Sequence, residues 1–263
     1  MKNIMKAQLY QLLRSSILYK TFLCLVVFQI MVFVVARHSV LEMEGRAFSA
    51  GNSLADGGYI VMCFALVFAI IATAHICGAD FVDKTTNYEL LTGHLRKEVY
   101  FGRALLSMLV GLAGAALLII IPIAWLCIMD GWGSEMDFGK ALLRLLLCIF
   151  PIWRMICEFV FLTYVVKNPY LVMIAGTLVS IYSGGIMPML TTGNMGVLGL
   201  GSLSQLMNFT AWRTFALVGE KEITIYDASL TAGDMIGTIL LSVVIGSLFL
   251  WLGYVFFKKD DLN

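Results

Sequence analysis

Charge is what this sequence has least of. Asp, Glu, Lys and Arg make up 13% of its 263 residues, about half of the ~25% typical of a soluble domain. Eighteen basic and 17 acidic residues leave a net charge of only +1, which removes the bulk attraction that nucleic-acid binders rely on. The phosphate-loop spacing G-x-x-x-x-G-K-[ST] is absent, so the chain has no ATP site of that type. H-E-x-x-H and G-x-S-x-G are missing too, and no pair of intramembrane acids has a nearby His, so no enzyme constellation stands out. The six cysteines, Cys24, Cys63, Cys77, Cys127, Cys148 and Cys157, all fall in apolar runs, and no two have C-x-x-C spacing. Thiols placed like that behave as small hydrophobes, not as a disulfide framework or a metal site. The three histidines, His38, His75 and His94, are far apart, and His75, inside an apolar run, reads as a packed and hydrogen-bonded residue. The first twenty residues do not read as a cleavable signal peptide. Lys2, Lys6, Arg14 and Lys20 are spread through a segment that leads straight into an apolar run with no small-residue cleavage site.

Apolar length is what the sequence has in abundance. Sixty per cent of its residues are hydrophobic, and they gather into runs that match a bilayer core of ~30 Å. Six spans are expected, at about 17–36, 59–79, 104–128, 141–166, 170–190 and 233–257, in one all-α polytopic membrane domain covering 1–263. Ahead of them, Met5, Leu9 and Leu12 recur at helical spacing with Gln8, Gln11, Arg14 and Ser15 opposite. That pattern suits either an interfacial helix or the start of the first span. Arg37 to Gly58 reads as a mixed-charge loop. Pro122 predicts a kink in the third span, because proline removes one helix hydrogen bond. Lys167-Asn168-Pro169 predicts a tight turn between spans four and five. Gly233-x-x-x-Gly237 in span six, and Gly111 with Ala115 in span three, are places where helices can approach closely.

Between spans five and six lies a segment, 191–232, expected outside the cytoplasm. Its first part, Thr191 to Phe209, is uncharged and broken by Gly193, Gly196, Gly199 and Gly201, which leaves room for a re-entrant helical pair. Its second part, Trp212 to Ser229, is polar enough to lie outside the membrane. Basic residues stay in the cytoplasm. Lys84, Arg96, Lys97, Arg103, Lys167, Lys258 and Lys259 fall on one side with the N-terminal cluster, so both termini and the loop 80–103 are expected there.

That loop, DFVDKTTNYELLTGHLRKEVYFGR, is polar and charged between two spans. Thr86 stands three residues before Glu89, the spacing of a capping box, in which a hydroxyl and a carboxylate satisfy each other's free backbone N–H groups. Gly93 lies where a left-handed helix terminator goes. A helix of about two turns is expected over Asn87 to Thr92, presenting Tyr88, Leu90 and Leu91 as apolar knobs and Glu89 as a polar contact. Arg96, Lys97 and Arg103 are expected to hold the loop at an anionic membrane surface, each contributing about 1 kcal/mol there.

The acidic and aromatic residues, the short NYELLTG stretch and the basic residues that follow resemble the first cytoplasmic loop of type-2 ATP-binding cassette exporter permeases. Several bacteriocin- or lantibiotic-immunity and drug-export permeases are similar in size and layout. The resemblance implies that Thr86, Asn87, Tyr88, Glu89, Leu90 and Leu91 dock into a separate cytoplasmic ATPase dimer. ATP and Mg would then sit on those partner chains and no cofactor on this one. A second permease subunit, identical or paralogous, and membrane lipid complete the implied partners; nucleic acid is not among them. The implied function is export of an amphipathic or hydrophobic cargo such as a peptide antibiotic, lipid or drug.

Span four departs from plain lipid-facing chemistry. It carries Arg144, Arg154 and Glu158, and a charge near mid-bilayer costs ~2.5–3.5 kcal/mol on insertion scales. Arg154 and Glu158 are four apart and share a helix face. They read either as groups lining a path or a subunit seam, or as a static ion pair holding the span in place. Arg144, nearer the span's end, is expected to snorkel to the interface. An ion-coupled secondary transporter using Arg154 and Glu158 is the alternative function.

Overall fold

The computed structural model describes residues 2–44, 49–82, 93, 95–134, 136–181, 213–218, 221–226 and 230–259. The chain is an all-α polytopic membrane protein, and its described residues include a small two-stranded antiparallel sheet. Among the described residues the helices are α1 (Lys2–Arg14), α2 (Ser16–Glu44), α3 (Ala50–Val82), α4 (Arg96–Asp130), α5 (Phe138–Leu147), α6 (Ile149–Val166), α7 (Pro169–Ile181) and, after the sheet, α8 (Ala232–Lys259). Five stretches among the described residues are long and apolar enough to cross a membrane: α2, α3, α4, α5 with α6, and α8. Expected span five begins as the shorter α7, and its continuation beyond Ile181 lies outside the described residues, as does the whole of 191–209.

Local chemistry sets the breaks. Pro151 has no N–H to donate to the carbonyl of Leu147, and the expected fourth span is divided there into α5 and α6, with Cys148 between them. Asp137 caps α5 by accepting from Lys140 N at 3.3 Å. The turn at 167–169 is present as expected. Lys167 adopts a left-handed φ of 55°, Asn168 Oδ1 accepts from the N–H groups of Tyr170 and Leu171, and Pro169 opens α7 where its missing donor does no harm. A reciprocal cap, Thr231 with Asp234, starts α8.

The expected loop 37–58 is mostly helix: α2 runs on to Glu44 and α3 starts at Ala50. Polar residues there do not end a helix, because a helix leaving the hydrocarbon core has no reason to unwind in water. Between β1 (Arg213–Val218) and β2 (Lys221–Tyr226) the strands pair antiparallel, with Val218 opposite Lys221. The alternation in Ile223-Thr224-Ile225-Tyr226 is the β signal that the expectation of a merely polar segment passed over.

α3 is the centre of the bundle, packed on α4, α6 and α7, and α8 lies along α6. Of the span residues in α3, 72% are buried, against 17% in α2 and in α8, so the last two form the periphery. Small residues permit the close contacts. A Cβ at Gly114 would lie 1.9 Å from the Phe68 ring, and one at Gly246 would lie 2.5 Å from Trp153. In α8 the packed stripe is Thr238, Ser242, Gly246 and Gly253, whereas Gly233 meets nothing beyond its own cap.

Gly114→Ala should therefore destabilise the bundle by about 1–3 kcal/mol, the usual cost of overpacking. Gly139→Ala, whose added carbon would meet nothing nearer than 3.7 Å, should leave stability unchanged when both are compared by denaturant titration in detergent.

Candidate functional site

The stretch expected to dock a partner, Thr86 to Leu91, lies outside the described residues. Its downstream edge is described. Gly93 is exposed with φ of 92°, the positive-φ geometry that glycine supplies most readily. Leu95 then precedes the first residue of α4.

The guanidinium of Arg96 donates to the carbonyls of Lys258 at 2.9 Å and Phe257 at 3.4 Å. Those carbonyls belong to the last turn of α8, which has no intrahelical donors left to offer and gathers partial negative charge. One turn further along α4, Tyr100 is fully buried and donates its hydroxyl to the carbonyl of Leu250 in α8 at 2.8 Å. Gly253 makes that approach feasible, since a Cβ there would sit 2.4 Å from the Tyr100 oxygen. Around Tyr100 stand Phe101, Tyr164, Tyr254 and Phe257, with ring centroids 4.7 to 6.0 Å away. Phe81 of α3 extends the cluster by an edge contact to Tyr164 at 5.6 Å. The start of α4, the end of α8, and parts of α3 and α6 are thereby joined in one aromatic knot. Sequence reasoning missed it, because Tyr100 and Gly253 are far apart in the chain and neither has a local signature.

The basic residues of the loop part company. Arg96 is turned to α8, Lys97 is exposed, and Arg103 is fully buried inside the bundle. Arg103 is thus placed to hold helices, not to meet a membrane surface. Arg144 is also fully buried and does not snorkel, because α5, set off from α6 at Cys148, carries it inward. Arg154 and Glu158 do meet: Nε and Oε1 approach to 3.4 Å, short of a hydrogen bond, with the arginine side chain 2% and the glutamate 21% exposed. The bond between Ser15 Oγ and His75 Nε2 at 3.2 Å ties the α1–α2 junction to α3. α1 itself lies against α4, with Ile4 and Met5 on Gly102. Its buried side includes Gln8, which the sequence pattern had put on the polar face.

At the other end of α4, Arg37 of α2 grips Asp130 through both carboxylate oxygens, Nε to Oδ2 at 2.8 Å and Nη2 to Oδ1 at 2.7 Å. Beside this end an apolar furrow of about 560 Å³ runs between α4 and α5. Ala116, Ile120 and Ala124 form one wall, Leu142 and Leu146 the other, and Trp132 and Phe138 stand at its end. All six cysteines are free thiols, and among the described residues no three His, Cys, Asp or Glu side chains gather as a metal site.

Two mutational outcomes follow from these contacts. Tyr100→Phe should cost about 0.5–1.5 kcal/mol, the net worth of one hydrogen bond. Gly253→Ala should cost less in that background than in the wild type, because the oxygen it would strike is gone; a double-mutant cycle by denaturant titration measures the difference. Removing one member of the intramembrane pair, as in Glu158→Ala, should destabilise by ~3–5 kcal/mol, whereas Arg154→Met with Glu158→Met should cost clearly less.

No protein-family model and no curated protein matches the chain.

Proposed function

We propose that this chain is the membrane-spanning permease subunit of an ATP-binding cassette exporter, carrying an amphipathic or hydrophobic cargo with energy from separate ATPase subunits. The observation that supports this reading is the joint at the start of α4. A polar loop between two spans is an ordinary feature, but here α4 begins inside the expected loop and its first residue, Arg96, is bonded to the end of α8. A partner that grips 83–92 pulls on α4, and Arg96 and Tyr100 pass the displacement to α8. A rigid aromatic knot transmits such a movement without first absorbing it.

In this reading the loop and both termini face the cytoplasm, two permease subunits enclose the path, and ATP and Mg bind on the partner ATPases. The furrow between α4 and α5 offers an apolar surface of the chemistry such a cargo would need. The buried contact of Arg154 with Glu158 keeps the ion-coupled transporter as the second reading, which requires cargo movement driven by a proton or sodium gradient with no ATPase partner.

Co-purification in detergent with candidate ATPases, followed by cargo-stimulated ATP turnover in proteoliposomes, separates the two readings. Replacing Tyr88, Glu89 and Leu91 by Ala should abolish assembly with the ATPase while the chain still inserts. Arg96→Ala should preserve assembly and lower stimulated turnover. Transport that follows an ion gradient without any ATPase would overturn the exporter reading.

A further inference from the structure

We propose that α2 is a movable span, held shut by the Arg37–Asp130 bridge and biased toward opening by the buried amide of Gln29. Three observations combine. α2 is peripheral: 17% of its span residues are buried, and Leu23, Val27, Met31 and Val35 face outward. Its packed side carries Leu18, Gln29 and Phe33, with Phe22 edge-on to Phe68 of α3 at 5.5 Å. That seat has a flaw in its middle. Gln29 is 1% exposed, and neither its Nε2 nor its Oε1 has a hydrogen-bond partner.

A carboxamide buried in an apolar seam with nothing to bond is unfavourable, and it opposes closure of that seam. Separation of α2 from α3 and α4 would let water or a polar ligand group reach it. Against this, one device near the end of the seam holds α2 to α4, and it is bidentate, the strongest geometry an arginine and a carboxylate can adopt. Asp130 is the last residue of α4, where the helix dipole disfavours a carboxylate. Without Arg37 that position is a poor one for an acid, so the pair is better matched to a latch between two helices than to support of α4 alone. Arg37 and Asp130 are partly exposed, at 35% and 15%, so solvent can take over both charges when the bridge opens. The proposal does not depend on what drives transport.

The test is a distance measurement by double electron–electron resonance in proteoliposomes. Nitroxides are carried on p-acetylphenylalanine introduced in place of Val35 and Ile128, two residues from each partner of the bridge and 63% and 82% exposed, with the native thiols left in place. The wild type should give one short distance. Asp130→Asn should add a second, longer population absent from the wild type, and Arg37→Asp with Asp130→Arg should remove it again, showing that the variant chains fold. Gln29→Leu combined with Asp130→Asn should shrink the longer population relative to Asp130→Asn alone. An unchanged distribution in Asp130→Asn, or a longer population that the charge exchange leaves in place, overturns the latch. An unchanged ratio on adding Gln29→Leu overturns the part assigned to Gln29.

Discussion

Inside a bilayer the apolar side of a helix gains nothing by meeting another helix in place of a lipid tail, so this bundle is held by fit and by polar bonds. Each close contact described above is an instance. Phe68 seats over Gly114, Trp153 over Gly246 and Tyr100 over Gly253, an aromatic ring in each case filling the room that a missing side chain leaves. Dispersion contacts of that kind are individually ~0.1–0.2 kcal/mol and add up only when the surfaces match. The bundle therefore depends on a few glycines whose value lies in what they do not carry.

The same constraint explains where the polar residues went. In hydrocarbon an unsatisfied backbone or side-chain group is costly, so hydroxyls turn back onto their own helices. Thr73 donates to Ala69, Thr163 to Phe159 and Ser107 to Ala104. Charges that cannot do this are buried in protein, as Arg103, Arg144 and Arg154 are. Two buried carboxamides, Gln8 in α1 and Gln29 in α2, do neither.

Much of the fold was legible in the sequence and little of the site was. Apolar runs marked the spans, and Lys167-Asn168-Pro169 marked a turn whose chemistry is wholly local. Helix ends were less legible, because hydropathy reports where lipid stops and not where helix stops. Arg37 opens the mixed-charge stretch that polarity marks as a loop, yet it is helical, and this is what lets it reach Asp130. Polarity alone places Gln8 on an outer face and Arg144 at the interface, whereas the seat on α4 and the division at Cys148 turn them inward. The knot around Tyr100 had no local sign at all, since its partners come from three other helices. The paired strands Arg213–Val218 and Lys221–Tyr226 do have a local sign, the alternation in Ile223-Thr224-Ile225-Tyr226, which overall polarity masks.

α4 draws these threads together through its length. Thirty-five residues at 1.5 Å each make a rod of about 52 Å, well beyond a hydrocarbon core of ~30 Å. Its ends thus stand clear of the lipid even when it is tilted, and both are fastened by charge: Arg96 to α8 at one, Asp130 to α2 at the other. α8 and α2 are also the two least buried spans. Seated against α3 and tied at each end to a peripheral helix, α4 links α2 and α8 across the bundle, with Pro122 inside it. Electrostatic ties suit that task better than apolar packing, because they lie where water can stabilise both partners once they part. Apolar packing broken inside the bilayer would need lipid to flow into the gap. The division of labour is then physical: steric fit in the hydrocarbon keeps the core of the bundle rigid, and the bidentate pair at the Asp130 edge holds the peripheral α2 to it.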